Sequence, residues 1–140
     1  MAPDKDLVER LRTVPLFEGL SNKELKDVLG RFGVFEHAAG HEIVEEGHGS
    51  VGFHLILDGQ AAVSRGSHTL RTLGPGDYFG EISVIDGKPR SATVTAVTPV
   101  RALALTAWAF QSLLDSQPSL TRKILLGLCQ TIRSSEQPLH

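Results

Sequence analysis

Arg90 and Glu81 are two charged residues whose surroundings could support specific chemistry. Between them, Ile82–Asp86 has the pattern of one short helical turn, and the first turn of a helix leaves backbone N–H groups without intrahelical partners. A planar guanidinium brought back toward those donors would suit a phosphate that carries a single charge. A carboxylate beside the donors would repel phosphate, but it can accept a hydrogen bond from a sugar hydroxyl. These residue types therefore fit a nucleotide with one ring phosphate.

The residues around this pair predict how it is positioned. Gly80 can adopt a backbone conformation closed to other residues and lets a ligand approach the main chain. Gly87 stands where the end of a helix favours a left-handed residue, and Pro89 prevents the helix from resuming. The β-branched run Thr93–Thr95 then predicts a strand. Because Ile82–Asp86 is too short for a stable isolated helix, we expect tertiary contacts to hold it in place.

Residues 79–94 read FGEISV and then, after two residues, GKPRSATV. This segment resembles the phosphate-binding cassette of the cyclic nucleotide-binding domain family, whose pattern is F-G-E-(L/I)-(A/S)-(L/I), a short gap, and G-x-P-R-(S/T/A)-A-(T/S)-V. The chain departs from the pattern at Val84, where leucine or isoleucine is usual. The order of predicted elements over about residues 7–133 is also similar to that of the family, including the N-terminal phrase PLFEGLS. The resemblance implies membership of this family, and we expect a stand-alone, bacterial-type member.

The resemblance implies a role for each matching residue. Arg90 would bind an exocyclic phosphate oxygen, and the backbone N–H groups of Ser91 and Ala92 would bind the phosphate beside it. Glu81 would accept a hydrogen bond from the ribose 2′-hydroxyl. The residues predicted at the ribose are Gly80, Glu81 and Ile82. Without the cassette around them, Arg90 and Glu81 would be interpreted as ordinary solvated side chains.

The resemblance also predicts contacts with the base. Members of the family hold adenine with apolar strand residues and with a residue of the last helix that acts as a lid. The candidates are Val63, Leu70 and Arg133, with Gln130 and Thr131 as alternatives on the last helix. Val63 and Leu70 would serve equally well as core residues. Members that favour cGMP often have threonine where this chain has Ser91, so we expect cAMP as the ligand, with cGMP binding more weakly.

The rest of the chain predicts an α+β fold, in which helices flank an antiparallel β-roll or jelly-roll. Short β-type runs at even spacing, separated by glycines, are typical of an antiparallel sandwich or barrel. The predicted parts of this single domain are an N-terminal helical segment (1–33), a β-roll (34–105) with the cassette (79–94), C-terminal hinge and lid helices (106–133) and a polar tail (134–140).

Local signals mark the predicted helices. Ser21, with Glu24 three residues later, is a capping box that begins a helix. Thr106 and Ser119 are predicted to cap the two C-terminal helices. Cys129 lies within an apolar helical pattern, which favours packing over a nucleophilic role. The N-terminal segment is either a helical hairpin packed on the sheet or, as in the family, a segment that moves when ligand binds.

Composition restricts the possible partners. The 140 residues carry 14 basic and 16 acidic side chains, for a formal net charge of −2, so no basic excess indicates nucleic acid or an anionic membrane. The N-terminus lacks a signal-peptide pattern, and no apolar run approaches the ~20 residues that span a bilayer. We therefore expect a cytoplasmic protein. We also expect a monomer or, because the last helix is apolar, a homodimer, and an unidentified effector protein in trans as its partner.

Two other functions are compatible with a glycine-rich β-roll. The first is a cupin-like metalloenzyme, but His37 and His41 are separated by a turn pattern, and the chain contains no His-x-His. The second is a degenerate roll that serves only for protein interaction. We expect the chain to bind its nucleotide without catalysis, and we expect no metal or cofactor.

Overall fold

The computed structural model shows two β-sheets flanked by helices. It describes residues 5–44, 47, 52–88 and 92–136. Within these ranges, eight antiparallel strands form two four-stranded sheets, and five α-helices lie before, between and after them. This arrangement is the α+β roll predicted from the sequence.

Two helices and a 3₁₀ turn precede the first strand. Helix α1 spans Lys5–Leu11, the 3₁₀ turn spans Pro15–Phe17, and α2 spans Asn22–Leu29. The predicted capping box is present at the start of α2. The backbone N–H of Glu24 donates to Ser21 Oγ at 3.1 Å, and the backbone N–H of Ser21 donates to Glu24 Oε1 at 3.0 Å.

The strands divide between two sheets. In chain order they are β1 (Gly33–His37), β2 (Glu42–Val44), β3 (Gly52–Asp58), β4 (Ala61–Arg65), β5 (His68–Leu73), β6 (Tyr78–Phe79), β7 (Thr93–Ala96) and β8 (Val100–Thr106). Sheet 1 has the order β1-β8-β3-β6, and sheet 2 has the order β2-β7-β4-β5. The connection from β6 to β7 therefore passes from one sheet to the other, and it contains the predicted cassette.

Three further helices follow the early strands. Helix α3 (Glu81–Asp86) lies between β6 and β7, and α4 (Ala107–Ser116) and α5 (Pro118–Glu136) follow β8. Thr106 caps α4 as predicted, since its Oγ1 accepts from the Ala109 N–H at 3.1 Å. The predicted cap at Ser119 is wrong because the helix already begins at Pro118, a residue well suited to a first helical position. None of the described helices is both long and apolar enough to cross a bilayer.

The second half of α5 is more exposed than its apolar spacing predicts. Leu120 and Ile124 are buried, whereas Leu125 and Ile132 are each 56% exposed, and Cys129 is exposed as well. The packing role predicted for Cys129 is therefore wrong, because α5 contacts the core only over its first turns. The helix also continues to Glu136, into the segment predicted as a tail.

Sheet 1 lies between the helices and sheet 2, so its central strands are buried on both faces. In β3, Phe53, Leu55 and Leu57 pack in a core that includes side chains of the helices. Ile56, which points to the opposite face, packs in a second core with Val63 and other side chains of sheet 2. This layering fixes β6, at one edge of sheet 1, and with it the start of α3.

Candidate ligand-binding site

A pocket opens between sheet 2 and the segment that contains α3. It encloses about 420 Å³, including the part open to solvent. Its described lining residues are Val44, Val63, Arg71, Phe79, Gly80, Glu81, Ile82, Ser83, Ala92 and Val94. Most come from two places, one row across sheet 2 and the consecutive residues 79–83.

The floor of the pocket is a single row of side chains that crosses sheet 2. Val44 on β2 pairs with Val94 on β7, Val94 pairs with Val63 on β4, and Val63 pairs with Arg71 on β5. Directly paired residues of antiparallel strands place their side chains on the same face. The three valines are buried and Arg71 is exposed, so an apolar surface ends in a cation at the sheet edge.

The wall of the pocket is the turn from β6 into α3. Gly80 has φ +94°, a left-handed conformation that favours glycine, and it directly precedes the helix. Gly87 ends the helix at φ +71°, with its N–H bonded to the carbonyl of Ser83 at 2.9 Å. Both glycines thus have the role that the sequence suggests, and the helix is six residues long.

Tertiary contacts hold this short helix, as expected from its length. Val84 is buried in the core beside the helices, and its carbonyl accepts a hydrogen bond from Gln111 Nε2 at 3.0 Å. Gln111 belongs to α4, so α3 and α4 are joined by a direct polar contact. A shift of the wall would therefore act on α4.

The wall also contacts α5 through Tyr78. Tyr78 Oη lies directly against Gly127, in the middle of α5. A β-carbon at that position would be only 2.5 Å from the phenol oxygen, so the contact requires glycine. Burial and, to a smaller extent, the negative charge of Glu81 raise the pKa of Tyr78. Tyr78 thus lies between the last helix and the carboxylate of the wall.

The structure brings most of the described predicted site residues together. Gly80, Glu81, Ile82, Ala92 and Val63 all line the pocket. Glu81 is partly buried, as a residue that must still reach a ligand would be. Their roles at phosphate, ribose and base stay predictions.

The other four predicted residues are not among the described lining residues. Arg90 and Ser91 lie outside the described residues. Leu70 is 48% exposed and Arg133 is exposed near the end of α5; neither is among the described lining residues. Contact of Leu70 or Arg133 with a base stays a prediction.

Arg71 is the lining residue of most chemical interest that the sequence analysis did not single out. Neighbouring residues of a strand point to opposite faces, so Leu70 and Arg71 cannot both face the pocket. A signal was available: once Val63 is assigned to the pocket face, hairpin pairing assigns its partner to the same face. Finding that partner requires the register of β4 and β5, which shifts between Val63 and Ser64.

The histidines do not form a metal site in the part of the chain that the structure describes. No group of three or more His, Cys, Asp or Glu side chains there could hold a metal ion. The rings of His37 and His41 are stacked, with centroids 5.3 Å apart and planes 9° apart. Burial and, to a smaller extent, the charge of His41 lower the pKa of His37.

Comparisons with known proteins identify the family. The family model described as the cyclic nucleotide-binding domain matches residues 34–117. A cAMP-dependent protein kinase regulatory subunit of Eremothecium gossypii is 37% identical over 105 residues, which are 74% of this chain and 23% of that protein. A CRP-like cAMP-activated global transcriptional regulator of Mycobacterium tuberculosis is 26% identical over 136 residues, 94% of this chain and 61% of the regulator.

A solved structure agrees with these relatives. The catabolite activator protein of Thermus thermophilus superposes with a TM-score of 0.83 at 29% identity, covering 89% of this chain and 61% of that one. This chain thus spans less than two thirds of the length of each of the three proteins. Since the family model covers more than half of the sequence, the chain belongs to the cyclic nucleotide-binding domain family.

Proposed function

We propose that this chain binds a cyclic nucleotide in the pocket between sheet 2 and α3, with cAMP as the first ligand, and that it acts as a regulatory sensor. The observation that carries the proposal is the pairing of an apolar valine floor with a wall that presents Glu81 and left-handed Gly80. A flat heterocycle suits the floor, and a ribose hydroxyl suits the carboxylate. The names of the relatives, which include a cAMP-dependent regulatory subunit and a cAMP-activated regulator, support cAMP.

The phosphate would be bound where the wall returns to sheet 2. Ala92 lines the pocket and directly precedes β7. We assign the phosphate to Arg90 and to the backbone N–H groups of Ser91 and Ala92, on the resemblance to the family's cassette. A charge-assisted bond of this kind contributes about 1.5–3 kcal/mol, which corresponds to at least about tenfold in affinity.

Titration with a fluorescent cAMP analogue tests the assignment. The unmodified protein should bind, and Arg90→Ala should bind at least about tenfold more weakly. Lys88→Ala is the matched control, because Lys88 is an exposed cation two residues away that does not line the pocket. It removes the same charge and should change affinity by less than about twofold. Equal losses in the two variants would mean that only overall charge matters, and no binding to the unmodified protein would refute the function.

Ligand binding is proposed to move the C-terminal helices toward the base. The wall is joined to α4 by the bond between Gln111 and the Val84 carbonyl and to α5 by the contact between Tyr78 and Gly127. A ligand can favour such a closed arrangement only by its higher affinity for that state. An effector protein would then recognise the changed position of α5.

Trp108 offers a direct readout of this movement. It is the one tryptophan in the sequence, lies on α4 and is 80% exposed. Saturating cAMP should change its emission in the unmodified protein, and the change should shrink in Gln111→Ala, which lacks the link to α3. Unchanged emission at saturation would show that the surroundings of Trp108 do not change when ligand binds, while leaving binding itself intact.

We also propose that the nucleotide is bound without hydrolysis, since the relatives named above are regulatory proteins. Chromatography of cAMP incubated with the protein should recover the cyclic nucleotide unchanged. Appearance of AMP in proportion to protein concentration would contradict this.

A further inference from the structure

Strand β1 leaves one edge of sheet 1 open among the described residues. It pairs with β8 over its whole length and with no other described strand, and the described chain makes no further backbone hydrogen bond to residues 33–37. A strand edge of this kind presents N–H and C=O groups that can pair with an added strand. The same strand exposes two large apolar side chains, since Val34 is 46% exposed and Phe35 is 52% exposed. Strand β1 therefore offers both the backbone groups and the apolar surface that an added strand would use.

The other edges of the two described sheets are protected against such an addition. Strand β6 has only two residues, and β2 has three residues in an irregular register with β7. Strand β5 is longer, but its pairing with β4 contains a register shift, and it carries the cation Arg71. Short strands, bulges and cations are the usual protections of a sheet edge. Strand β1 keeps a regular register with β8 and contains no Lys, Arg or Pro, so it lacks all of them.

The sequence of β1 suits pairing with a second copy of itself. In an antiparallel pair centred on Phe35, this residue lies opposite its own copy, Val34 lies opposite Glu36, and Gly33 lies opposite His37. All five residues of the strand are then paired, two aromatic rings meet, and no like charges are directly opposed. A pair centred on Glu36 would oppose two carboxylates, and a pair centred on Val34 would use only residues 33–35 of the strand.

We propose that β1 joins two copies of this chain edge to edge, so that sheet 1 continues from one copy into the other across a two-fold axis. The two β1 strands exchange backbone hydrogen bonds, and the two Phe35 side chains cover each other. Two five-residue strands form an interface below the roughly 1,200 Å² at which specific complexes become stable, so the dimer is weak and forms at high protein concentration. No residue of β1 is among the described lining residues of the pocket, so the association does not depend on the proposed nucleotide site.

Sedimentation velocity of the full chain, from about 10 μM to about 1 mM, tests the association. The unmodified protein should change from monomer to dimer within this range. Phe35→Lys should remain monomeric, because the pairing would oppose two cations. Ile132→Lys is the matched control, since it places the same cation at an apolar residue of α5 that is 56% exposed, and it should dimerise as the unmodified protein does. A thermal melt of each variant verifies the fold.

A disulfide trap tests the register without removing the association by charge. In a Cys129→Ser background, which removes the exposed native thiol, Phe35→Cys would place two thiols on directly opposed residues. Their Cα atoms would be about 4.5–5.5 Å apart, within the range that a disulfide bridges. Val34→Cys is the control, because its two copies would be about 7–8 Å apart on the diagonal. Mild oxidation should therefore give a covalent dimer with Phe35→Cys and little with Val34→Cys.

Several results would overturn the proposal. These are a monomer at every concentration, a dimer that survives Phe35→Lys, loss of the dimer in both lysine variants, or faster crosslinking of Val34→Cys than of Phe35→Cys. A dimer lost only in Ile132→Lys would assign the association to α5 instead. None of these results would affect the proposed function, which is tested by nucleotide binding.

Discussion

Gly127→Ala should destabilise the protein, although alanine is the better helix former. In an open helix the substitution stabilises by about 0.5–1 kcal/mol. Here the new Cβ would lie 2.5 Å from Tyr78 Oη, about 1 Å inside a normal contact. Either the phenol ring or α5 must shift, and overpacking of this kind costs about 1–3 kcal/mol. The two effects leave a net loss of up to about 2.5 kcal/mol in the free energy of unfolding.

Tyr78→Phe is the matched partner for this substitution. It removes the hydroxyl, after which the nearest atom to the new Cβ is Cζ at 3.8 Å, an ordinary contact. Tyr78 Oη makes no hydrogen bond within the described chain, so Tyr78→Phe alone should change stability by less than about 0.5 kcal/mol. In that background Gly127→Ala should become stabilising by about 0.5–1 kcal/mol.

Urea denaturation of the four proteins gives the coupling free energy between the two positions. We expect about 1–3 kcal/mol, with Gly127→Ala reversing sign between the two backgrounds. If Gly127→Ala stabilises the protein equally in both backgrounds, Tyr78 does not contact α5 as described. The reasoning on the link between the wall and the last helix would then fail as well.

Three other substitutions test separate parts of the molecule. Glu81→Ala should lose discrimination against 2′-deoxy-cAMP, so that competition assays give the two nucleotides similar affinities, and retained discrimination would exclude Glu81 as the hydroxyl acceptor. Ser21→Ala should lower the free energy of unfolding by about 0.5–2 kcal/mol, because both hydrogen bonds of the capping box depend on that residue; an unchanged urea midpoint would contradict this. His37→Phe should flatten the loss of stability below about pH 6.5. Because the pKa of His37 is lowered in the folded chain, the unfolded chain takes up the proton first as pH falls. The contribution of His37 to stability is therefore present above about pH 6.5 and is lost as pH falls through the folded pKa. Equal pH slopes for the two proteins in urea titrations would refute this.

Elements with strong local signals were predictable from the sequence. The capping box of Ser21 and Glu24 and the cap at Thr106 depend on one or two side chains and their nearest backbone, so spacing alone determines them. The left-handed glycines around α3 are equally local, because few other residues tolerate that backbone conformation. Several short strands followed from the spacing of glycines, which end strands without help from distant contacts.

Features that depend on pairing or layering were not predictable in this way. The pairing of β6 with β3, which places β6 at one edge of sheet 1, depends on a distant strand. Arg71 faces the pocket because of the register between β4 and β5. The exposure of Cys129 depends on where α5 leaves the core, which an apolar spacing that continues along the helix does not reveal. Each of these properties belongs to two segments rather than one.

The unequal burial of α5 gives this helix the mechanics of a lever. Its first turns are fixed by Leu120 and Ile124, while the part beyond Leu128 extends past the core. From Ile124 to the last helical residue, Glu136, the axis rises roughly 18 Å, so a rotation of about 10° at the fixed end displaces the tip by about 3 Å. A small adjustment at Tyr78 would thus be magnified with distance from its pivot, and spin labels placed near Ser134 would report it with the greatest sensitivity.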